Sequence, residues 1–173
     1  MTRGFGTARI GHGVGNDRCN RWHELGEAVS VALWECTRLP HGFTELWCQN
    51  LHSLSELAGL RARLRRTMTG RATVERPEQD HWSERLVLIA DELASNALRH
   101  GGAPVAAALS RVEDRWLIAV SDSSPDVPPT PALGRDPGKG GFGLYLVADL
   151  SLAHGWTTAG RGQKTAWAVV ASR

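Results

Sequence analysis

The 173-residue chain has few cysteines, no long apolar run and almost no excess of charge. Its three cysteines (Cys19, Cys36 and Cys48) are odd in number and form no C-x-x-C pair, which suggests neither a disulfide framework nor a zinc site. No apolar stretch approaches the roughly 20 residues that cross a bilayer. The N-terminus also lacks the apolar core of a signal peptide. We therefore expect a cytoplasmic protein without a membrane anchor.

The charge balance argues against direct binding to nucleic acid. The net charge is only +2, whereas nucleic-acid binders usually concentrate basic residues on one face. The one basic cluster consists of Arg61, Arg63, Arg65 and Arg66. Successive positions of a helix point in different directions, so this cluster would not form a single basic face.

Two regions differ in composition. Residues 1–18 are rich in glycine and poor in apolar side chains, which predicts disorder. Apolar residues between Cys19 and Leu39 recur at helical spacings, which predicts a helix that Pro40 ends. We therefore assign residues 1–40 to an N-terminal extension and residues 41–173 to one folded domain.

The folded region shows alternating strand and helix signals. The predicted elements are a strand over 43–48, helices over 53–68 and 78–100, a hairpin of 105–111 and 116–121, a loop over 123–140, a helix from 141 to about 154, and a hairpin of 156–159 and 165–170. The helix over 78–100 is expected to bury Leu86, Leu88, Ile89, Leu93, Ala97 and Leu98. Adjacent hairpins make the sheet mostly antiparallel, so helices on one face give a two-layer α/β sandwich.

Glu92 and Asn96 lie four residues apart on the predicted helix, which places their Cβ atoms about 5–6 Å apart on one face. Magnesium prefers oxygen ligands and keeps several waters, so the Asn96 amide oxygen is a candidate ligand beside nucleotide phosphates. Glu92 can orient a water or accept a proton from an attacking hydroxyl. An isolated pair of this kind is more often a satisfied asparagine beside a solvated glutamate, so the pattern needs support from other motifs.

Asp122 follows an apolar strand, Trp116 to Ser121. A carboxylate at the end of a buried strand can accept a hydrogen bond from the exocyclic amine of adenine. The alternative is an ordinary aspartate that opens the turn at Ser123, Ser124 and Pro125.

A glycine-rich run precedes the next predicted helix. It consists of Gly138, Lys139, Gly140, Gly141, Phe142, Gly143 and Leu144. No strand precedes the run, so its G-x-G-x-x-G spacing is not a dinucleotide fingerprint, and the residue after Lys139 excludes a P-loop. Glycines at a helix N-terminus let backbone N–H groups approach an anion, and Lys139 can add a cation. The alternative is a flexible loop that only starts a helix.

In this order and spacing, the motifs resemble those of the GHKL ATP-binding superfamily, which includes gyrase and histidine kinases. Within it the chain is most similar to the small bacterial anti-sigma-factor serine kinases, over about residues 43–171. The resemblance implies that Glu92 is the general base, Asn96 the magnesium ligand and Asp122 the adenine-binding residue. It implies that the glycine-rich run forms the lid and contacts phosphate, and that Thr165 supports the adenine pocket.

The resemblance also implies a function in transcriptional regulation, with ATP and Mg²⁺ as cofactors, an anti-anti-sigma antagonist or a sigma factor as the protein partner, and a homodimer. Two positions depart from the family pattern. Ser123-Ser124-Pro125 stands where glycines usually follow the aspartate, and Phe142 stands where many anti-sigma kinases have arginine. Three functions stay open: a protein serine/threonine kinase, an ATP-dependent binding module without phosphotransfer, and a nucleotide-free interaction protein. Phe142 and the N-terminal extension favour the second over the first.

Overall fold

The computed structural model describes residues 34–69, 79–131, 142–159 and 162–172. The strands are β1 (Thr44–Leu51), β2 (Val105–Val112), β3 (Arg115–Asp122), β4 (Ala153–Ala159) and β5 (Gln163–Ala171). The helices are α1 (Leu57–Thr69), α2 (Gln79–His100) and α3 (Gly143–Leu150), with a 3-10 turn over Leu54–Glu56 before α1. The described strands form one antiparallel sheet in the order β1-β2-β3-β5-β4. The predicted α/β sandwich with a mostly antiparallel sheet is therefore confirmed.

The two faces of the sheet carry different apolar clusters, because successive side chains of a strand point to opposite faces. Even-numbered residues of β3 and β5, such as Ile118 and Ala168, join the main core with the helices. Odd-numbered residues, such as Leu117 and Trp167, form a second cluster, against which Leu39 and Phe43 pack. This alternation determines which side chains at the ends of β3 and β5 can meet the helices.

The helices bury one stripe each, as their periodicity predicts. In α1 the buried residues are Leu57, Leu60, Leu64 and Met68. In α2 the fully buried apolar residues include Leu86, Ile89 and Leu93, but Leu88 is 40% exposed. The expectation that Leu88 faces inward is therefore wrong. Leu88 lies two positions after Leu86, about 200° further around the helix, so the two side chains cannot share a face.

The segment before β1 departs from the predicted helix over Cys19 to Leu39. Its described part, residues 34–39, is extended, and Cys36 forms a parallel bridge with Trp156 of β4. The amide of Thr37 donates to the Trp156 carbonyl (2.8 Å), and the amide of Trp156 donates to the Glu35 carbonyl (3.1 Å). The open edge of β4 thus offers backbone hydrogen bonds that override the helical pattern. The rest of the predicted helix lies outside the described residues.

Two further local predictions change at this edge of the sheet. The helix expected to run to about residue 154 ends at Leu150, and His154 and Gly155 belong to β4. Pairing with β5, in which Gly155 lies opposite Trp167, explains the difference.

Cys36 is disulfide-bonded. The odd number of cysteines in the chain did not predict this bond. The division of the chain at residue 40 stays a prediction. Among the helices of the described residues, none has the length and apolar character that a membrane span requires.

Candidate functional site

Helix α2 carries Glu92 and Asn96 one turn apart, and both side chains are partly buried. Their neighbours Leu93, Ala94 and Ala97 are buried in the core, which fixes the rotation of the helix. Within the described part of the chain the Asn96 amide has no hydrogen-bond partner, so its oxygen is available to a ligand.

Glu92 contacts the first residue of α3. A Cβ atom added at Gly143 would overlap the Glu92 carboxylate, so only glycine permits this approach. The structure thereby brings together the predicted base and the end of the glycine-rich run. Leu144, the next residue of α3, is buried, whereas Phe142 is 58% exposed. The ring centroids of Phe142 and Tyr145 lie 6.1 Å apart. The other members of the run, Gly138, Lys139, Gly140 and Gly141, lie outside the described residues.

The environment of Glu92 raises the pKa of its carboxyl group above the ordinary value for glutamate. Burial is the main cause that raises its pKa, and repulsion from Asp91 raises it further, while attraction to Arg99 opposes both. A raised pKa brings a carboxylate closer to the operating pH, at which a general base transfers protons efficiently. The half-buried position of Glu92 therefore suits proton transfer better than a solvated position would.

Asp122 ends β3 and is 2% exposed. Its Oδ1 accepts a hydrogen bond from the Ser124 amide over 2.8 Å. The C-terminal end of α2 lies directly against it, because a Cβ atom at Gly101 would come within 2.5 Å of the Asp122 Cγ. The Ser123 amide donates to the Gly102 carbonyl over 2.8 Å, which fixes the loop after β3 on the same helix end. Asp122 thus lies at the end of the helix that carries Glu92 and Asn96.

Lys164, which no sequence motif indicated, forms an ion pair with Asp122. The two residues are cross-strand partners on β3 and β5. The Lys164 Nζ lies 3.3 Å from the Asp122 Oδ2, and it donates a hydrogen bond to the Val127 carbonyl over 2.6 Å. Burial raises the pKa of Asp122, while the Ser124 amide and Lys164 oppose that rise. The alternation of inward and outward residues along β5 is the signal that identifies Lys164, once the register is known.

Thr165 lies on the other face of the sheet. Its hydroxyl and that of Ser121 are 2.8 Å apart, and the two residues are cross-strand partners. Both are odd-numbered neighbours of the Asp122–Lys164 pair, so their side chains point away from α2. The structure therefore brings Asp122, Lys164 and the end of α2 together, but it does not bring the Thr165 side chain to that group.

Residues 53–168 match the family model described as the histidine kinase-like ATPase domain. The chain belongs to this family. No curated protein matches the chain. Membership of the histidine kinase-like ATPase family implies that the domain binds ATP, and it agrees with the observed antiparallel sheet with helices on one face.

The donor set of this histidine kinase-like ATPase domain fits a nucleotide-bound magnesium ion. Among the described residues no three His, Cys, Asp or Glu side chains cluster as a metal site. Magnesium is usually held by few protein oxygens together with substrate phosphates and water, rather than by a complete protein cage. The unpartnered Asn96 amide, one turn from the Glu92 carboxylate, supplies oxygens of this kind.

Proposed function

We propose that the protein is an ATP-binding regulator of the anti-sigma-factor serine/threonine kinase type. Its ATP site lies along α2, between Asp122 at one end and Gly143 at the other. Its substrate is a hydroxyl group of a small protein antagonist. The observation that carries the proposal is the Glu92 carboxylate, half-buried against the first residue of α3 and one turn from a free asparagine amide.

The order of residues along α2 supports this placement. Gly101, which contacts Asp122, lies nine positions after Glu92, which is about 13 Å along the helix axis. Asn96 lies between them. An extended nucleotide with its adenine at Asp122 would therefore direct its phosphates past Asn96 toward Glu92 and the start of α3.

Each residue of the proposed site has a separate role. Asp122 accepts a hydrogen bond from the adenine amine, and Asn96 provides an oxygen ligand for magnesium. When bound, the ion supplies charge neutralisation at the phosphate oxygens. The substrate hydroxyl oxygen forms a bond to the γ-phosphorus while the bridging bond to the β-phosphate breaks and ADP leaves. Glu92 accepts the hydroxyl proton. The resemblance assigns the phosphate contacts to Lys139 and its neighbouring glycines.

The direct test is transfer of phosphate from labelled ATP to a candidate antagonist protein. Glu92→Gln should lower the transfer rate at least about 100-fold, with ATP affinity within about two-fold of wild type. Asn96→Ala should instead remove the magnesium dependence of ATP binding. Glu84→Gln is the matched control, since Glu84 lies on the same helix and its side chain is 59% exposed. Equal transfer rates in Glu92→Gln and Glu84→Gln would refute the kinase proposal.

A second candidate function is a binding module that uses ATP to change its affinity for a sigma factor or an antagonist without transferring phosphate. The observation that favours it is Phe142, an exposed aromatic residue at a position where related kinases have arginine. In this case ATP should change partner affinity even in Glu92→Ala, because a ligand shifts only the equilibrium between states that it binds differently. Equal partner affinity with and without ATP would exclude this function.

A homodimer also stays a prediction from the resemblance. Sedimentation of the full chain at two concentrations tests it. A sedimentation coefficient that rises with concentration is the expected result, and one that stays at the monomer value would contradict it.

A further inference from the structure

Asp122 and Lys164 form an ion pair that is almost completely buried. Their side chains are 3% and 5% exposed, and 3.3 Å separates the Lys164 Nζ from the Asp122 Oδ2. Buried charges are costly unless each is paired and hydrogen-bonded. The pair occupies the last inward-facing position of β3 and the first inward-facing position of β5, two adjacent interior strands, beside the end of α2. A buried charge pair at a candidate ligand site calls for a functional explanation.

One backbone hydrogen bond and the ion pair hold the carboxylate in one orientation. The Ser124 amide binds Oδ1, and the Lys164 ammonium binds Oδ2. Lys164 is itself held by the Val127 carbonyl, in the loop that follows β3. The carboxylate can neither rotate nor withdraw without losing one of these bonds.

The carboxylate nevertheless keeps capacity for another donor. An ionised carboxylate has about four lone-pair sites, and Ser124 and Lys164 each occupy one. One site on each oxygen therefore remains, so a ligand amine can bind Asp122 without displacing Lys164.

We propose that Lys164 is a positioning residue for nucleotide binding, which holds the Asp122 carboxylate ionised and oriented to accept the exocyclic amine of a 6-aminopurine nucleotide. This inference rests on the ATP site of the proposed function. It adds a residue of β5 to that site, which acts through Asp122.

The electrostatics agree with this role. Burial alone drives Asp122 toward the protonated form, and Lys164 is the charged group that opposes this effect. Without the ammonium, the buried carboxyl would gain a proton or change its orientation. A protonated carboxyl presents a donor on one oxygen and therefore loses much of its preference for an amine.

The test compares ATP with purine riboside triphosphate, which lacks the 6-amino group, by calorimetric titration in magnesium. A hydrogen bond to a charged group contributes enough for wild type to prefer ATP by roughly ten-fold or more. Asp122→Asn should abolish this preference. Lys164→Met should reduce it to about two-fold or less, and Lys164→Arg should restore most of it, because arginine keeps the charge. A purely structural role would weaken both nucleotides alike and leave the preference unchanged.

If Lys164→Met does not fold, Lys164→Gln replaces it in the test, because glutamine keeps an N–H donor without the charge. It should lower the preference for ATP at least about three-fold, because hydrogen bonds with an ionised partner are roughly twice as strong as neutral ones. If a folded Lys164→Met or Lys164→Gln variant keeps the wild-type preference for ATP over purine riboside triphosphate, the inference is overturned and the proposed ATP site is unaffected. Wild type that binds neither nucleotide overturns the proposed function, and the inference with it.

Discussion

The Trp34 indole Nε1 donates a hydrogen bond to the Leu144 carbonyl over 3.1 Å, and this bond joins the segment before β1 to the first turn of α3. The Trp156 indole in turn donates to the Trp34 carbonyl over 2.9 Å. Trp34 is 7% exposed and belongs to the main core. The start of the described chain therefore stabilises the helix whose first residue contacts Glu92.

Replacement of Trp34 by phenylalanine should lower the free energy of unfolding by about 0.5–1.5 kcal/mol from the lost hydrogen bond, beyond the loss from reduced packing. The measurement is urea denaturation followed by far-UV circular dichroism. Trp82→Phe is the matched control, because Trp82 stacks on Trp116 and donates no hydrogen bond within the described residues. A loss no larger in Trp34→Phe than in Trp82→Phe would contradict the assigned role of the indole N–H.

Gly143→Ala should damage both stability and phosphotransfer. The added methyl group would overlap the Glu92 carboxylate, so either Glu92 or α3 must move. Overpacking of this kind costs about 1–3 kcal/mol, and displacement of the base should reduce the transfer rate.

Gly59→Ala is the control for Gly143→Ala. Gly59 lies within α1, and a Cβ atom there meets nothing within 4 Å. Alanine in an open helical position should stabilise the protein by about 0.5–1 kcal/mol. Equal unfolding free energies for the two variants in urea would refute the contact at Gly143.

The Ser121–Thr165 pair should act on stability rather than on nucleotide binding. Ser121→Ala leaves the buried Thr165 hydroxyl without its partner, and Thr165→Val leaves the Ser121 hydroxyl without its partner. Each variant should lower the free energy of unfolding by about 1–2 kcal/mol. The double variant should cost less than the sum of the singles, because no unpaired hydroxyl remains. Since Thr165 faces away from Asp122, ATP affinity in Thr165→Val should stay within about two-fold of wild type. A larger loss of affinity would place the Thr165 hydroxyl in the adenine site.

Local sequence patterns predicted much of the fold. The helical spacing of Leu86, Ile89 and Leu93 located α2, and the same spacing placed Glu92 and Asn96 on one face. The short polar turn between β2 and β3 identified a hairpin. Each of these signals depends on residues close together in the sequence.

Features that depend on residues far apart in the sequence cannot be predicted from local patterns. A shift of one residue in the register of β5 would exchange the faces of Lys164 and Thr165, and the sequence alone does not fix that register. The extended conformation of residues 34–39 depends on pairing with Trp156, more than 100 positions away. Local patterns therefore do not indicate Lys164, and they predict a helix for the segment before β1 that the structure does not have.

His154 should make the free energy of unfolding depend on pH. Burial is the main cause that lowers its pKa, and attraction to Glu35 opposes the effect. Its ring lies 5.2 Å from the Trp34 ring, and its Nδ1 lies 3.4 Å from the Ser151 hydroxyl. At pH values between its lowered pKa in the folded state and the unfolded-state pKa of about 6.5, the folded state therefore binds fewer protons than the unfolded state. The stability that neutral His154 contributes is complete above that value and is lost as the pH falls through the lower pKa of the folded state.

Urea titrations at pH 8 and pH 5.5 test this effect of His154. Between the two pH values, the free energy of unfolding should fall more in wild type than in His154→Gln. Because lost packing affects the variant at both pH values, the difference between them isolates the titration, and equal losses would contradict the role of His154.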